Sequence, residues 1–285
     1  STDAISVHAT GTAKALANIE GVTLSAGVAK IAVNAASAKL NALQEAYVGG
    51  TYVTAPSVTV LSLFNTSTTG YDGNGRPNVP AFLAGYGAYA YVGSNSGTSI
   101  NAISGTYNSA TATSGATVKA TLYGGGTNVS GAILVNTFAS SYAIADIIPP
   151  SASVSLYNVT VNYTYAHAAG NYVSSMNTTG SESSAIQAGS LRIGTGYHTY
   201  ADARTGASGN ISVSLISLNA NISRAYTETS AEATVVGSGG AVIIGNIDVR
   251  VYGSATAYAT VDQPAFSVSV ANLAVNMVYA YQQVA

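Results

Sequence analysis

The chain is predicted to be an all-β repeat protein. A parallel β-solenoid is favoured, with stacked antiparallel β-sandwich units as the alternative. Three observations lead there. Ile5–Asn34 aligns without a gap on Ile247–Asn276, with 12 identities in 30 pairs. Two landmarks recur together through the chain. Within each copy, apolar and polar residues alternate with period two, the signature of strands rather than of amphipathic helices.

The first landmark is an apolar-x-apolar step: Ile5-Ser6-Val7, Val58-Thr59-Val60, Ile133-Leu134-Val135, Leu191-Arg192-Ile193 and Ile247-Asp248-Val249. The second is an asparagine closing an alternating stretch: Asn34, Asn108, Asn162, Asn219 and Asn276. Together they set copies at 5–57, 58–132, 133–190, 191–246 and an incomplete 247–285. One copy is long because "NTSTTGYDGNGRPNVPAF", residues 65–82, is inserted as a loop rich in Gly, Pro and Asn. Such loops usually decorate one face of a repeat scaffold.

Alternation is clearest in Ala13, Ala15 and Ala17, and again in Ala255, Ala257 and Ala259. Ala32–Val48 could pass for a helix, but its equivalents in other copies could not, so it is taken as strand. Gly49-Gly50, Gly124-Gly125 and Gly237 with Gly239-Gly240 fall at equivalent places and read as turns. The pattern running from Phe266 to Tyr281 slips parity near Ala271, where a bulge or corner is expected. In a solenoid, each unit of roughly 56 residues would supply two or three coils, stacked into a rod on the order of 50–70 Å long. The landmark asparagine would stand at a coil corner. It would either stack inward as an amide ladder or serve as a turn residue in left-handed backbone. The fifth copy lacks the tail of the others and no capping unit is evident, so either a longer array or an end-to-end filament is expected.

Composition narrows the function. Only 7% of residues are charged, net charge is −2, and Lys and Arg form no cluster. That argues against nucleic acid or an anionic membrane surface as partner. No apolar run approaches the ~18 residues of a membrane helix, and there is no cysteine. Ser, Thr, Asn, Gly and Tyr replace charge, a bias associated with extracellular and cell-surface proteins.

The sequence "GTAKALANIEGVTLSAGVAKIAVNAASAKLNALQEAYVGGTYVTAPSVTVLS" resembles the repeat regions of bacterial filamentous adhesins, in particular the leukotoxin-like filamentous adhesin family. The resembling steps are Val33-Asn34, Ala46-Tyr47-Val48-Gly49-Gly50 and Val53–Val60. The resemblance implies a secreted β-helical surface fibre with no catalytic residues to carry over.

No enzymatic constellation is visible, and the chain is expected not to be an enzyme. His8, His167 and His198 are isolated and read as exposed strand histidines. Acidic residues are single, without the pairing that glycoside chemistry needs. "YDGNGRPN" at residues 71–78 has oxygen donors but lacks the spacing and terminal Glu of a calcium loop. "GSGG" and "GGGTNVSG" lack the Lys and helix of a phosphate cradle. No cofactor or metal is expected. Seven Asn-x-Ser/Thr sequons stand at Asn65, Asn128, Asn158, Asn162, Asn177, Asn210 and Asn221, about as many as composition gives by chance. Asn65 and Asn177 are the favoured positions for a glycan. The expected role is an extracellular structural protein, a subunit or segment of a surface filament or filamentous adhesin, with itself and surface glycans as partners. A carbohydrate-binding fibre is the alternative, and a polysaccharide-active enzyme on a β-helix scaffold stands third.

Overall fold

The computed structural model describes residues 3–20, 25–50, 52–93, 98–124, 126–148, 152–178, 186–206, 211–237, 241–262 and 266–285. They form a parallel β-solenoid, and none of them is helical. Coil 1 comprises β1 (Ile5–Gly11), β2 (Lys14–Glu20) and β3 (Ser25–Gly50). Coil 2 comprises β4 (Val53–Ala55), β5 (Val58–Phe64), β6 (Gly87–Gly93) and β7 (Thr98–Gly124). Coil 3 is β8 (Thr127–Ile148) and β9 (Ala152–Thr178), and coil 4 is β10 (Ile186–Thr205) and β11 (Ile211–Gly237). Coil 5 is β12 (Ala241–Ile243), β13 (Ile247–Val261) and β14 (Phe266–Val284).

Two sheets result. The second contains β3, β7, β9, β11 and β14, stacked in chain order, and the first contains the remaining strands. Every named inter-strand pairing is parallel, which excludes the antiparallel sandwich. Ile5, Val58, Ile133, Leu191 and Ile247 stand in one column. Each copy is therefore one coil with one long segment in each sheet, a single strand or a broken one, not two or three short coils. At about 4.8 Å per strand the five coils measure about 24 Å along the stacking axis, and a 22-residue strand such as β8 runs about 70 Å across it. The expected narrow rod is instead a wide slab.

Side chains point alternately in and out, as the period-two pattern requires. The core is zoned along the strands. Val58, Val60, Ile133, Val135, Leu191 and Ile193 face Leu122 and Met176 in an aliphatic zone. Tyr172 and Tyr197 pack with Phe64 and Val118 in a bulky one. A third zone is almost wholly alanine, with Ala143, Ala145, Ala201 and Ala203 against Ala110, Ala112, Ala166, Ala168 and Ala225. Inward hydroxyls cross between the sheets to facing backbone carbonyls. Thr137 Oγ1 donates to Val173 O at 2.8 Å, Ser174 Oγ to Gly194 O at 2.9 Å, and Thr195 Oγ1 to Glu232 O at 2.7 Å. Burial of these hydroxyls is tolerated because they are hydrogen-bonded, whereas those of Thr127, Ser155, Ser214 and Thr227 are buried without a partner among the described residues.

These cross-sheet bonds show how the chain reverses. Thr164 meets Thr205, and Ser223 meets Ala203, so the facing part of the second sheet begins near residue 164. Residues 152–163 would span about 40 Å if straight, yet Thr164 lies back against Thr205 at the end of the first sheet. The chain therefore runs past the first sheet and turns back within β9. The turn lies at Leu156-Tyr157, where two successive residues point outward while Ser155 and Asn158 on either side are buried. Inter-coil pairing lapses at this step in every coil, including at Val270 before Ala271. This is the corner expected from the parity slip.

Candidate functional site

Six residues beyond each corner stands an inward asparagine. Asn34 Nδ2 donates to Asn108 Oδ1 at 2.9 Å, Asn108 to Asn162 at 2.8 Å, Asn162 to Asn221 at 2.8 Å and Asn221 to Asn276 at 2.9 Å. An unbroken amide ladder thus runs through all five coils, all its donors pointing the same way. Two expectations are corrected. The ladder lies inside the strands rather than at a corner, and its fourth rung is Asn221, not Asn219. Asn219 also lies on the inward side, two residues earlier, but pairs in register with Thr160 and donates to Ser217 Oγ at 2.9 Å.

Outside the same corner lies an apolar ridge. Val154, Leu156, Tyr157 and Val159 in coil 3 are 43–54% exposed, and Val213, Leu215, Ile216 and Leu218 in coil 4 are 36–44% exposed. Ile100 and Ile103 continue it in coil 2, Val28 and Ile31 in coil 1, and Val268, Val270 and Leu273 in coil 5. Between two of its columns runs a shallow groove lined by Ile100, Val154, Leu156, Val213, Leu215 and Val270. A continuous aliphatic band across every coil is far more than the scattered apolar residues of an ordinary surface.

The insertion behaves differently from a free decoration. It leaves the first sheet after Phe64 and returns at Gly87. At its start Asn65 adopts left-handed backbone (φ 49°) and its Oδ1 accepts from Ala13 N at 2.8 Å. At its end Gly87 has φ 121°, and a Cβ there would strike Tyr142. Between them the segment lies as a strap over the outer face of the first sheet. Tyr71 OH donates to Asn136 Oδ1 at 2.5 Å in coil 3, and its ring lies 4.3 Å from the Arg192 guanidinium of coil 4. A side chain at Gly194 would collide with the Tyr71 ring. Phe82 stacks on Tyr142 at 3.7 Å. Arg250 of coil 5 donates to Asn74 O at 2.6 Å, and Arg76 lies 5.2 Å over the Tyr252 ring. The strap therefore ties coil 2 to coils 3, 4 and 5.

The titratable groups serve this framework. Asp72 Oδ1 accepts the Asn74 and Arg76 N–H groups, at 2.8 Å each, and these bonds hold its carboxyl below the usual range. The "YDGNGRPN" stretch is thus a turn closed by its own aspartate. His198 is half-buried beneath the strap rather than exposed; Nδ1 donates to Pro80 O at 3.2 Å, and burial lowers its pKa. His8 sits at 3.0 Å from Ser6 Oγ, and His167 Nε2 lies 3.7 Å from Glu228. Asp202 is buried and held by Arg204 and by Tyr200 OH at 2.9 Å. Burial raises Asp146, opposed by the nearby Arg204. Among the described residues no group of three or more His, Asp or Glu could hold a metal ion, and no helix is long and apolar enough to cross a membrane.

Tyrosine rings of successive coils lie against one another: Tyr142 stacks on Tyr200 at 5.2 Å, and tilted pairs follow at Tyr200–Tyr258 (5.9 Å), Tyr165–Tyr226 (5.6 Å) and Tyr226–Tyr281 (6.2 Å). The sequons scatter. Asn128 is exposed and Asn177 half-buried. Asn65, Asn158 and Asn162 are buried, and the amides of Asn162 and Asn221 are ladder rungs, so the fold leaves no room for a glycan on those four. Asn210 lies outside the described residues. No protein-family model matches the chain, and neither does any curated protein or solved structure.

Proposed function

We propose that the chain is a structural, extracellular β-solenoid unit, a subunit or segment of a cell-surface filament or filamentous adhesin, self-associating end-on or side by side. The observation that carries this is the apolar ridge along the corners. It presents aliphatic side chains to solvent in all five coils, and burying it against another molecule is favourable at about 25 cal/mol per Å². Several polar groups that could do chemistry are engaged within the fold. The asparagines bond to one another, Asp72 closes a turn, and Asp202 is held by Arg204. This supports a role performed through shape and contact, without a catalytic step.

Electron microscopy of the purified chain tests the proposal. Filaments or side-by-side ribbons are the expected result. A chain that stays dispersed at high concentration while turning over a polysaccharide would overturn it. A carbohydrate-binding fibre is favoured by one specific observation, the Tyr165–Tyr226–Tyr281 column, whose rings could receive sugars. Retention of dispersed monomer on a glycan array, lost on Tyr226→Ala, would select that role.

A further inference from the structure

Among the described residues, the strands of coils 1 and 5 are paired on one side only. β1, β2 and β3 bond on one side only, to coil 2, and β13 and β14 on one side only, to coil 4. The open edges are complementary. At one end Asn34 Oδ1 faces outward along the stacking axis without a donor. At the other, Asn276 Nδ2 has no acceptor.

Their inner faces also match. In one chain, Ile5 and Ile247 belong to one column, as do Leu16 and Tyr258, and Asn34 and Asn276. All three offsets equal 242 residues, the offset of the gapless sequence match. Of the eight inward positions on β1 and β2 and the residues between them, six carry the same residue in coil 5; the others are Ala9/Val251 and Ile19/Val261. Coil 5 shares only Ala257 and Ala259 with its actual neighbour, coil 4, at the same positions. Inward volume sets how far apart the two sheets stand. Coils with the same inward residues therefore stack flush.

We infer that the partner is a second copy of this chain, whose coil 1 docks on coil 5 head to tail, with Ile5 against Ile247 and Asn276 Nδ2 donating to Asn34 Oδ1. The inference rests on the structural role proposed above and specifies its polarity and register. Each junction forms on the order of thirty backbone hydrogen bonds, about one per paired residue. Lys39 arrives against the Tyr281 ring and prolongs the Tyr165–Tyr226–Tyr281 column. The like-charge pair created is Glu20 against Asp262, both exposed and screened by salt. The contact is heterologous and does not close on itself, so it propagates as a filament.

The absence of cysteine makes the register testable by cross-linking. Leu16→Cys with Tyr258→Cys places two outward thiols opposite each other across the junction. Leu16→Cys with Thr256→Cys sets them two residues apart. Mild oxidation is expected to give a ladder of disulfide-linked multiples of 28.5 kDa for the first pair, and at least about ten-fold less product for the second. Asn276→Asp keeps the acceptor used by Asn221 but removes the donor at the junction. It is expected to raise the concentration needed for assembly about ten-fold while leaving monomer melting unchanged. Equal cross-linking of both pairs, or unaltered assembly of Asn276→Asp, overturns the inference. Filaments that form without the 16–258 link overturn it and leave the structural role standing. A chain that stays monomeric at every concentration removes both.

Discussion

At the scale of single residues, the asparagine ladder is the most consequential feature. Each interior amide donates upward and accepts from below, so one deletion leaves two groups without partners. Asn162→Ala is expected to destabilise by about 2–4 kcal/mol, read from the shift of the urea midpoint at constant slope. Asn219→Ala, two residues from the true rung, should cost under about 1 kcal/mol. The comparison explains what could and could not be read from the chain. The recurrence of asparagine at fixed spacing was visible. Which of Asn219 and Asn221 carried it was not, because both lie on the inward side of one strand. The deciding signal is the outward pair Leu215-Ile216. Counting six residues from the corner selects Asn221, as it selects Asn34, Asn108, Asn162 and Asn276 in the other coils.

His198 supplies a pH dependence. Burial under the strap lowers its folded pKa, so the folded chain favours the neutral ring. The stability this contributes is fully present above the unfolded value of about 6.5 and is lost as pH falls below it. Hydrogen exchange of strap amides should therefore quicken, relative to intrinsic rates, between pH 7.5 and pH 5. His198→Gln should remove most of that difference.

At the scale of elements, the strap and the ridge have separable roles. Phe64 pairs with Ala139 and Ala88 with Ala143, so residues 65–87 replace just three residues, Ser140-Ser141-Tyr142, of the next coil. Replacing 65–87 by Ser-Ser-Tyr should retain the β-sheet circular dichroism. It removes the Tyr71–Arg192 and Phe82–Tyr142 contacts and should lower stability by about 1–3 kcal/mol. The loop's position was legible from its breakers. Its role as a brace was not, because Tyr71, Arg192 and Asn136 are far apart in sequence. The ridge predicts the opposite outcome. Leu156→Lys with Leu215→Lys, both on the exposed side of the corner, should leave monomer stability within about 0.5 kcal/mol while abolishing side-by-side association in light scattering.

At the scale of the whole molecule, strand length decides shape. Dividing a ~56-residue unit into coils of ordinary length suggests two or three, yet the alternation continues past the parity slip near Ala271 for longer than an ordinary strand allows. That continuity, visible from Phe266 to Tyr281, was the better guide. Oriented, dried material should show a strong reflection near 4.8 Å along the stacking axis. A reflection at that spacing perpendicular to the axis would contradict the slab.

The alanine zone bears on mechanics. Where Ala143, Ala145, Ala201 and Ala203 face Ala110, Ala112, Ala166 and Ala168, both sheets present a single methyl, whereas the much larger Tyr172 and Tyr197 fill the space between them elsewhere. Plate rigidity rises steeply with thickness, so compliance concentrates where the alanines face each other. These residues stack coil upon coil, so the thin strip runs parallel to the stacking axis as a crease. A sheet of such molecules would fold along its length while resisting curvature across the coils, as corrugated card bends along one direction and stays stiff along the other.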